Sequence, residues 1–127
     1  MTEQSQSMRS EHEHVLICGD VNIAHTALDI CRDKANAKKS GFLPEERKWV
    51  DDFLADGWVD VYRSLHKGVE AYSWWTNRSK NARKDNVGWR IDYFFVNSDL
   101  AELCRDAEIH QDVMGSDHCP VSLSLDL

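Results

Sequence analysis

The sequence predicts an α/β fold, in which strands and a few helices pack in layers around an apolar core. Residues 14–18 form a short apolar run, which is typical of a strand covered on both faces. Residues 44–54 repeat apolar side chains at helical spacing, and residues 121–127 alternate apolar and polar side chains as a strand does. This mixture of strands and helices favours a layered fold over a helix bundle.

The composition indicates one globular domain. The chain has 127 residues, 42% of them apolar, which is enough to bury roughly two thirds of the unfolded surface. Residues 1–14 carry almost no apolar side chains, so we expect a flexible N-terminal arm followed by a folded unit at residues 15–127. The formal net charge of -7 argues against a general field of Lys and Arg on phosphates, so any nucleic-acid contact should be local.

The cysteines predict neither a zinc site nor a disulfide framework. Cys18, Cys31, Cys104 and Cys119 have no C-x-x-C spacing, and their surroundings fit reduced thiols. No apolar run reaches the ~20 residues of a membrane span, and the N-terminus has no signal-peptide core. We therefore expect a soluble protein of the cytoplasm, or of the nucleus in a eukaryote, with no membrane partner.

Local signals predict the order of elements in the first half. Asp20 comes just after the first strand, and residues 22–43 are polar and irregular, which predicts a long excursion with little regular structure. Pro44 and the acidic residues after it are typical of a helix start, and Gly57 of a helix stop. The apolar stripe of this helix consists of Trp49, Val50, Phe53 and Leu54.

The second half predicts a hairpin, a short helix and two strands. Residues 72–76 and 89–96 are aromatic and β-branched enough to be paired strands, joined by the basic loop 77–88. Residues 99–104 predict a helix capped by Ser98 or Asp99. Residues 107–112 predict a strand that precedes the last one.

Three short motifs put a carboxylate where a strand ends or turns: Gly19-Asp20-Val21-Asn22, Trp89-Arg90-Ile91-Asp92-Tyr93 and Gly115-Ser116-Asp117-His118-Cys119-Pro120. Each also has a plain structural interpretation. Asp20 could close a turn, Asp92 could pair with Arg90 along its strand, and His118 could be an ordinary loop histidine. No single motif decides between these alternatives and a functional site.

Together, the motifs supply the groups that metal-assisted hydrolysis of a phosphodiester needs. Those groups are carboxylate oxygens for a hard divalent cation, an imidazole near the scissile phosphate, and a carboxylate that fixes the tautomer of the imidazole. Asp92 and His118 would form that pair. Asp20 and Asn22, two residues apart, could hold an attacking water and a phosphate oxygen. No serine or cysteine nucleophile is required.

In this order, the motifs resemble those of the exonuclease III and apurinic/apyrimidinic endonuclease family. The resemblance runs from about Val15 to Leu127. It includes the stretches at residues 22–25 (NIAH), 40–47 (SGFLPEER), 72–76 (YSWWT), 81–83 (NAR) and 86–90 (NVGWR). It implies the C-terminal half of a four-layer α/β/β/α sandwich, mainly one mixed sheet with flanking helices.

The resemblance implies a role for each residue of the motifs. Asp20 resembles the aspartate that activates water, and Asn22 the asparagine that contacts the phosphate. His118 resembles the histidine that contacts the scissile phosphate, and Asp92 the aspartate that orients it. Asp117 resembles a carboxylate of the metal site, with Asp20 as a further candidate ligand. The implied ion is Mg²⁺, with Mn²⁺ as the alternative.

The resemblance also implies a surface for double-stranded DNA with abasic sites. Trp74, Trp89 and Ile91 resemble the apolar pocket for an extrahelical sugar that lacks its base, and such a pocket needs no hydrogen-bond partners for the missing base. A basic loop would lie on the DNA backbone through Arg83, Arg78, Lys80 and Lys84. The structural alternatives are core aromatics of a sheet and a solvated charged loop.

Members of the family are about twice as long, and their first half contributes an Asn, a metal-binding Glu and a Tyr without counterparts here. We therefore expect a half-built metal site and an exposed apolar sheet face, which a missing N-terminal half or a second copy of the chain would cover. The implied activity is hydrolysis of the phosphodiester 5′ to an abasic site, with 3′-5′ exonuclease activity. The alternatives are a non-catalytic fragment that binds DNA or protein, and another phosphodiesterase or phosphatase of the superfamily.

Overall fold

A computed structural model describes Ser5 and residues 13–127. The predicted N-terminal arm, residues 1–14, therefore falls mostly outside the described residues. The described part contains a three-stranded sheet, a two-stranded sheet and several short helices, which confirms the α/β class. All strand pairs in this part are antiparallel, so the sheets differ from the single mixed sheet that was expected.

The larger sheet has the strand order β1-β3-β2, where β1 is Leu16–Asp20, β2 is Trp58–Asp60 and β3 is Asp92–Asn97. The prediction that β1 is covered on both faces is wrong. One face packs through Val15 and Ile17 on the aromatic core, but on the other face Leu16 is 40% exposed and Cys18 is also exposed. The apolar layer that covers Phe94 and Val96 of β3 on that face includes no residue of β1, which lies at the edge of the sheet.

The predicted helix is confirmed as α1, Pro44–Ala55, and it covers the inner face of the larger sheet. Its ring of Phe53 stacks on Trp49 at 5.4 Å and on Trp58 at 5.3 Å. Gly57 follows the helix with φ +94°, a left-handed conformation that glycine adopts without strain, and so ends the helix as expected.

The smaller sheet pairs β4, Cys104–Ile109, with β5, Val121–Leu125. Together with α2, Val61–Leu65, and α3, Ser98–Ala101, it packs against the other face of β3. The prediction for the last strand is confirmed. The predicted helix 99–104 is shorter and begins earlier, with Asn97 as its N-cap, and the predicted strand 107–112 begins at Cys104. Cys104 is buried in the core and already pairs with Leu125 of β5, so the strand begins there.

The excursion at residues 22–43 contains only two short 3-10 helices, Ala27–Asp29 and Lys34–Asn36, as expected. The hairpin prediction is wrong, because residues 72–76 form no strand. Trp74 makes only isolated bridges, one to Trp89 and one to His118. The backbone N–H groups of Ser73 and Trp74 both donate to the carbonyl of Trp89, which breaks the regular ladder.

A buried ion cluster ties the excursion to the larger sheet. Arg90 is fully buried and donates from Nε to Asp29 Oδ1 at 2.7 Å and from Nη2 to Asp60 Oδ2 at 2.6 Å. Burial lowers the pKa of Arg90, but the charge and hydrogen bond of Asp60 outweigh it and raise that pKa above its usual value. Arg63 completes the cluster by a second contact to Asp29. Arg90 is thus paired with these two carboxylates and not with Asp92.

The four cysteines are free thiols. Within residues 13–127, no helix is long and apolar enough to cross a membrane.

Candidate active site

The pairing of β1 with β3 brings two carboxylates together at one end of the larger sheet. Asp20, the last residue of β1, lies directly opposite Asp92, the first residue of β3. Directly opposed residues of an antiparallel pair project from the same face. The next turn bends sharply at Asn22, which has φ +60°, and Asp20 Oδ1 accepts a hydrogen bond from the N–H of Asn22 at 2.8 Å. The second oxygen of Asp20 remains directed at His118.

His118 joins the two carboxylates from the loop before β5. Its Nδ1 lies 2.9 Å from Asp92 Oδ2, and its Nε2 lies 3.7 Å from Asp20 Oδ2. Because a carboxylate only accepts hydrogen bonds, the short contact puts a proton on Nδ1 and fixes the tautomer. The predicted pairing of Asp92 with His118 is therefore present in the geometry.

Ser73 holds the backbone at Asp92 in place, a contact that was not predicted from the sequence. Its fully buried hydroxyl oxygen accepts hydrogen bonds from the N–H groups of Ile91 at 3.1 Å and Asp92 at 3.2 Å. One serine within a run of aromatic residues carries no signal of this contact. It could only be found from the way in which residues 73–74 lie against Trp89.

The acidic surroundings raise the pKa of His118. Burial, the largest single effect, lowers that pKa. The hydrogen bond and charge of Asp92, with the charges of Asp20 and Asp117, outweigh burial, so the pKa of His118 lies above its usual value of 6.5. The site therefore favours a protonated imidazole, which attracts anions.

Among the residues that the structure describes, one group of side chains has the spacing to hold a metal ion. The ligand atoms of Asp20, Asp92 and His118 lie within 4.8 Å of one another. The resemblance implies Asp117 as a ligand and Asp20 as a further candidate. Asp20 belongs to this group, whereas Asp117 lies outside it and accepts a hydrogen bond from Trp74 Nε1 at 3.1 Å. That hydrogen bond lowers the pKa of Asp117 below its usual value. Asp117 thus offers an ionised carboxylate beside the group.

A cavity of about 510 Å³ opens beside His118. Among the residues predicted from sequence, it is lined by Asn22, Trp74, Trp89, Ile91, Asp117 and His118. Ser40 also lines it, a residue for which no role was predicted. Trp89 packs edge-on to Trp74, with ring centroids 6.2 Å apart. Behind Trp89 stands Gly41, where a Cβ atom would meet the indole ring at 2.6 Å.

A second cavity, of about 760 Å³, adjoins the first and shares Ser40, Trp74 and Trp89 with it. Three cations line it: Arg32, Lys39 and Arg78. Only Arg78 was singled out from the sequence. Arg32 and Lys39 were missed because nothing local shows where the irregular excursion lies in the fold.

Arg83 does not line either of these cavities. Its guanidinium donates to the backbone carbonyls of Gln111, Val113 and Ser116 at 2.8 to 3.0 Å. The predicted contact of Arg83 with DNA stays a prediction.

Known proteins resemble this chain over most of its length. Residues 5–118 match the Endonuclease/Exonuclease/phosphatase family. An exodeoxyribonuclease of Bacillus subtilis is 48% identical over 114 residues, which are 89% of this chain and 45% of that protein. A DNA-(apurinic or apyrimidinic site) endonuclease of Dictyostelium discoideum is 43% identical over 115 residues, 89% of this chain and 32% of that protein. The crystal structure of the AP endonuclease LMAP from Leishmania major has a TM-score of 0.80 and 38% identity, and the match covers 85% of this chain and 34% of that one.

The chain spans less than half the length of these relatives. Their names confirm the resemblance to exonuclease III and the abasic endonucleases that the motifs indicated. The family match also contains Asp20, Asp92 and His118, the three residues that converge at the end of the larger sheet. This chain belongs to the endonuclease/exonuclease/phosphatase family.

Proposed function

We propose that this chain carries the catalytic group of a metal-dependent DNA-repair nuclease that hydrolyses the phosphodiester 5′ to an abasic site, with 3′-5′ exonuclease activity. The observation that carries the proposal is the Asp20, Asp92 and His118 group beside a cavity lined by Trp74 and Trp89. The names of the relatives, an exodeoxyribonuclease and abasic-site endonucleases, support this reaction over the hydrolysis of other phosphate esters.

Each residue of the group has a chemical task in this proposal. Asp20 Oδ2 accepts the proton of the attacking water, and the side-chain amide of Asn22 donates to a phosphate oxygen. His118, held by Asp92 at 2.9 Å, contacts the scissile phosphate. The raised pKa of His118 supports this task, because a protonated imidazole stabilises the charge that develops on the phosphate.

The donor set fits Mg²⁺, with Mn²⁺ as the alternative. Magnesium prefers oxygen ligands and is commonly held by one or two protein carboxylates plus water and substrate phosphate. Asp20, which belongs to the group with the spacing for a metal ion, would supply one such carboxylate, and Asp117 beside that group would supply a second. Nδ1 of His118 is already engaged by Asp92. When bound, the ion offsets negative charge on the reacting phosphate.

The two adjoining cavities suit an abasic strand of duplex DNA. A flipped sugar without its base would enter the cavity of Trp74, Trp89 and Ile91, which offers apolar walls. The flanking phosphates would follow the cations Arg32, Lys39 and Arg78 into the second cavity. These three cations form a local basic surface, which DNA binding requires in a chain whose net charge is -7.

The exposed face of β1 needs a cover. Leu16 and Cys18 project beside Phe94, because Leu16 pairs with Val96 and Cys18 with Phe94. An apolar sheet face normally packs against another layer. We propose that an N-terminal half of the enzyme covers it, and that a second copy of the chain does so when that half is absent.

The test is cleavage of a duplex oligonucleotide with one tetrahydrofuran abasic site, with Mg²⁺ and with EDTA. The chain is assayed alone and mixed with the part of the Bacillus subtilis relative that the match does not cover. We expect cutting on the 5′ side of the site that EDTA abolishes, because the carboxylates need a divalent cation. Light scattering on the same samples reports which species is active. Absence of cutting in both samples, or cutting that EDTA leaves unchanged, would refute the proposal.

Trp89→Ala is expected to lower the preference for abasic over intact duplex DNA by about tenfold or more, because one apolar wall of the sugar cavity is lost. The measurement is the ratio of kcat/KM for the two duplexes. Trp49→Ala, which removes a half-buried tryptophan from α1, is the control and should leave the ratio unchanged. If Trp89→Ala keeps the selectivity of the wild type, Trp89 contributes only to packing and does not form a wall of the sugar site.

A further inference from the structure

The 111–116 loop leads directly into Asp117 and His118, yet it has almost no packing of its own. The side chains from Asp112 to Ser116 are all exposed, with Val113 at 45% and Met114 at 71%. Gly115 has φ +121°, so the loop also turns through a conformation that only glycine adopts without strain. A segment without buried side chains is held mainly by hydrogen bonds. Ser116 Oγ makes local ones to Asp117 and to the N–H of His118, and backbone carbonyls of the loop make further ones.

Arg83 provides three of those backbone contacts. Its Nη1 donates to the carbonyl of Ser116 at 3.0 Å, and its Nη2 donates to the carbonyls of Gln111 at 2.9 Å and Val113 at 2.8 Å. A guanidinium presents its donors in a fixed plane, so it can gather several carbonyls that converge from different directions. The loop is therefore closed around this one side chain.

Arg83 is anchored on its other side by Trp75. The guanidinium carbon lies 4.5 Å from the centre of the Trp75 ring, and Trp75 is only 2% exposed. The backbone N–H of Trp75 donates to the carbonyl of Asp117 at 3.1 Å. Arg83 and Trp75 thus hold the chain from Gln111 up to the residue before His118.

We infer that Arg83 is a positioning residue, which holds the 111–116 loop and thereby fixes Asp117 and His118 relative to Asp92. Its effect on turnover rests on the proposed function, but its effect on the loop does not. Direct contact of Arg83 with a DNA phosphate, the prediction from sequence, would require the guanidinium to leave three carbonyls and the Trp75 ring. The two roles differ in which kinetic constant they change.

The kinetic test compares Arg83→Gln and Arg83→Lys with Arg105→Gln, which removes an exposed cation of β4. We expect Arg83→Gln to lower kcat by about 10- to 100-fold with KM within about twofold, because the reacting groups shift while DNA contacts remain. Arg83→Lys should recover little, since an ammonium lacks the planar set of donors. A raised KM with normal kcat, a salt slope reduced by about one and rescue by lysine would identify a phosphate contact and overturn the inference.

Hydrogen–deuterium exchange of the metal-free, DNA-free chain tests the loop independently of activity. In both Arg83 variants, the hydrogen-bonded amides of Gln111, Val113 and His118 should exchange at least about tenfold faster, while amides of β1 and β3 keep their protection. Arg83→Lys retains the charge beside Trp75 and remains measurable if Arg83→Gln does not fold. Unchanged exchange in the loop would overturn the inference. If the loop exchanges faster in the variants but the wild-type chain cuts no DNA, the inference about Arg83 stands and the proposed function fails.

Discussion

Arg90→Met is expected to lower the free energy of unfolding by about 3 to 5 kcal/mol, because it leaves buried carboxylates without their cation. Asp60 would lose both of its contacts to the guanidinium, at 3.0 and 2.6 Å. Asp29 would keep one cation, Arg63, together with the hydrogen bonds that it accepts from the N–H and hydroxyl groups of Thr26. The measurement is urea unfolding followed by tryptophan fluorescence and circular dichroism.

The same variant should change how stability depends on pH. Burial raises the pKa of Asp29, but the charges and hydrogen bonds of Arg90 and Arg63 outweigh it and hold that pKa below its usual value of 3.8. A carboxyl whose pKa is lowered by folding contributes stability that is fully present above its unfolded pKa and is lost as the pH falls through its folded pKa. Without Arg90, less stability should therefore be lost on acidification below about pH 4.

The matched control is Arg105→Met, which removes the same side chain from an exposed pair with Asp126. It should change the free energy of unfolding by less than about 1 kcal/mol, because exposed ion pairs contribute little. Adding Asp60→Asn to Arg90→Met should restore part of the loss, since an amide is cheaper to bury than an unpaired carboxylate. Equal losses for Arg90→Met and Arg105→Met would contradict the account of a buried cluster.

His118→Ala and Asp20→Asn should each lower kcat/KM on abasic DNA by roughly 100-fold or more, because each removes a reacting group. Neither change should unfold the chain, since both side chains are partly exposed and lie outside the apolar clusters. The measurement is steady-state cleavage in the Mg²⁺-dependent preparation, with urea unfolding to confirm stability. The double variant should lose little more than either single variant, because the residues act as one unit.

Two neighbouring residues supply controls for these variants. His110→Ala removes a half-buried histidine whose Nε2 lies 2.8 Å from Ser122 Oγ and 3.9 Å from the Glu108 carboxylate. Asp112→Asn neutralises an exposed carboxylate of the 111–116 loop. Both should keep activity within a few-fold of the wild type. Near-normal turnover of His118→Ala or Asp20→Asn would remove these residues from the reaction.

Short-range signals predicted the parts of the fold that depend on local chemistry. Pro44 with its acidic neighbours located α1, Gly57 located its end, and the alternation after Val121 located β5. The site residues were accessible for a similar reason, because Asp20 and His118 stand in compact motifs beside strands. The need of an imidazole for an orienting carboxylate also predicted the pairing of His118 with Asp92.

Contacts between segments that are far apart in the chain could not be predicted from the sequence. The failed hairpin depended on residues 73–74 lying between Trp89 and His118, which no local pattern encodes. Arg90 was assigned to the nearby Asp92 as an alternative, whereas its partners Asp29 and Asp60 come from remote segments. Charge alone likewise suggested that Arg83 faces solvent, although the carbonyls of another loop enclose it.

Asp20 and Asp92 lie opposite each other across β1 and β3. The packing of the apolar core therefore also fixes the strand register that brings these two carboxylates together. A slip of one residue would turn Val15 and Ile17 out of the core and carry Asp20 to the wrong face in the same movement. Exchanging one apolar side chain for another leaves the register unchanged, as long as the side chains that alternate toward the core stay apolar. Apolar core residues can therefore be substituted during evolution, whereas a single inserted or deleted residue in β1 would shift the register and disable the site.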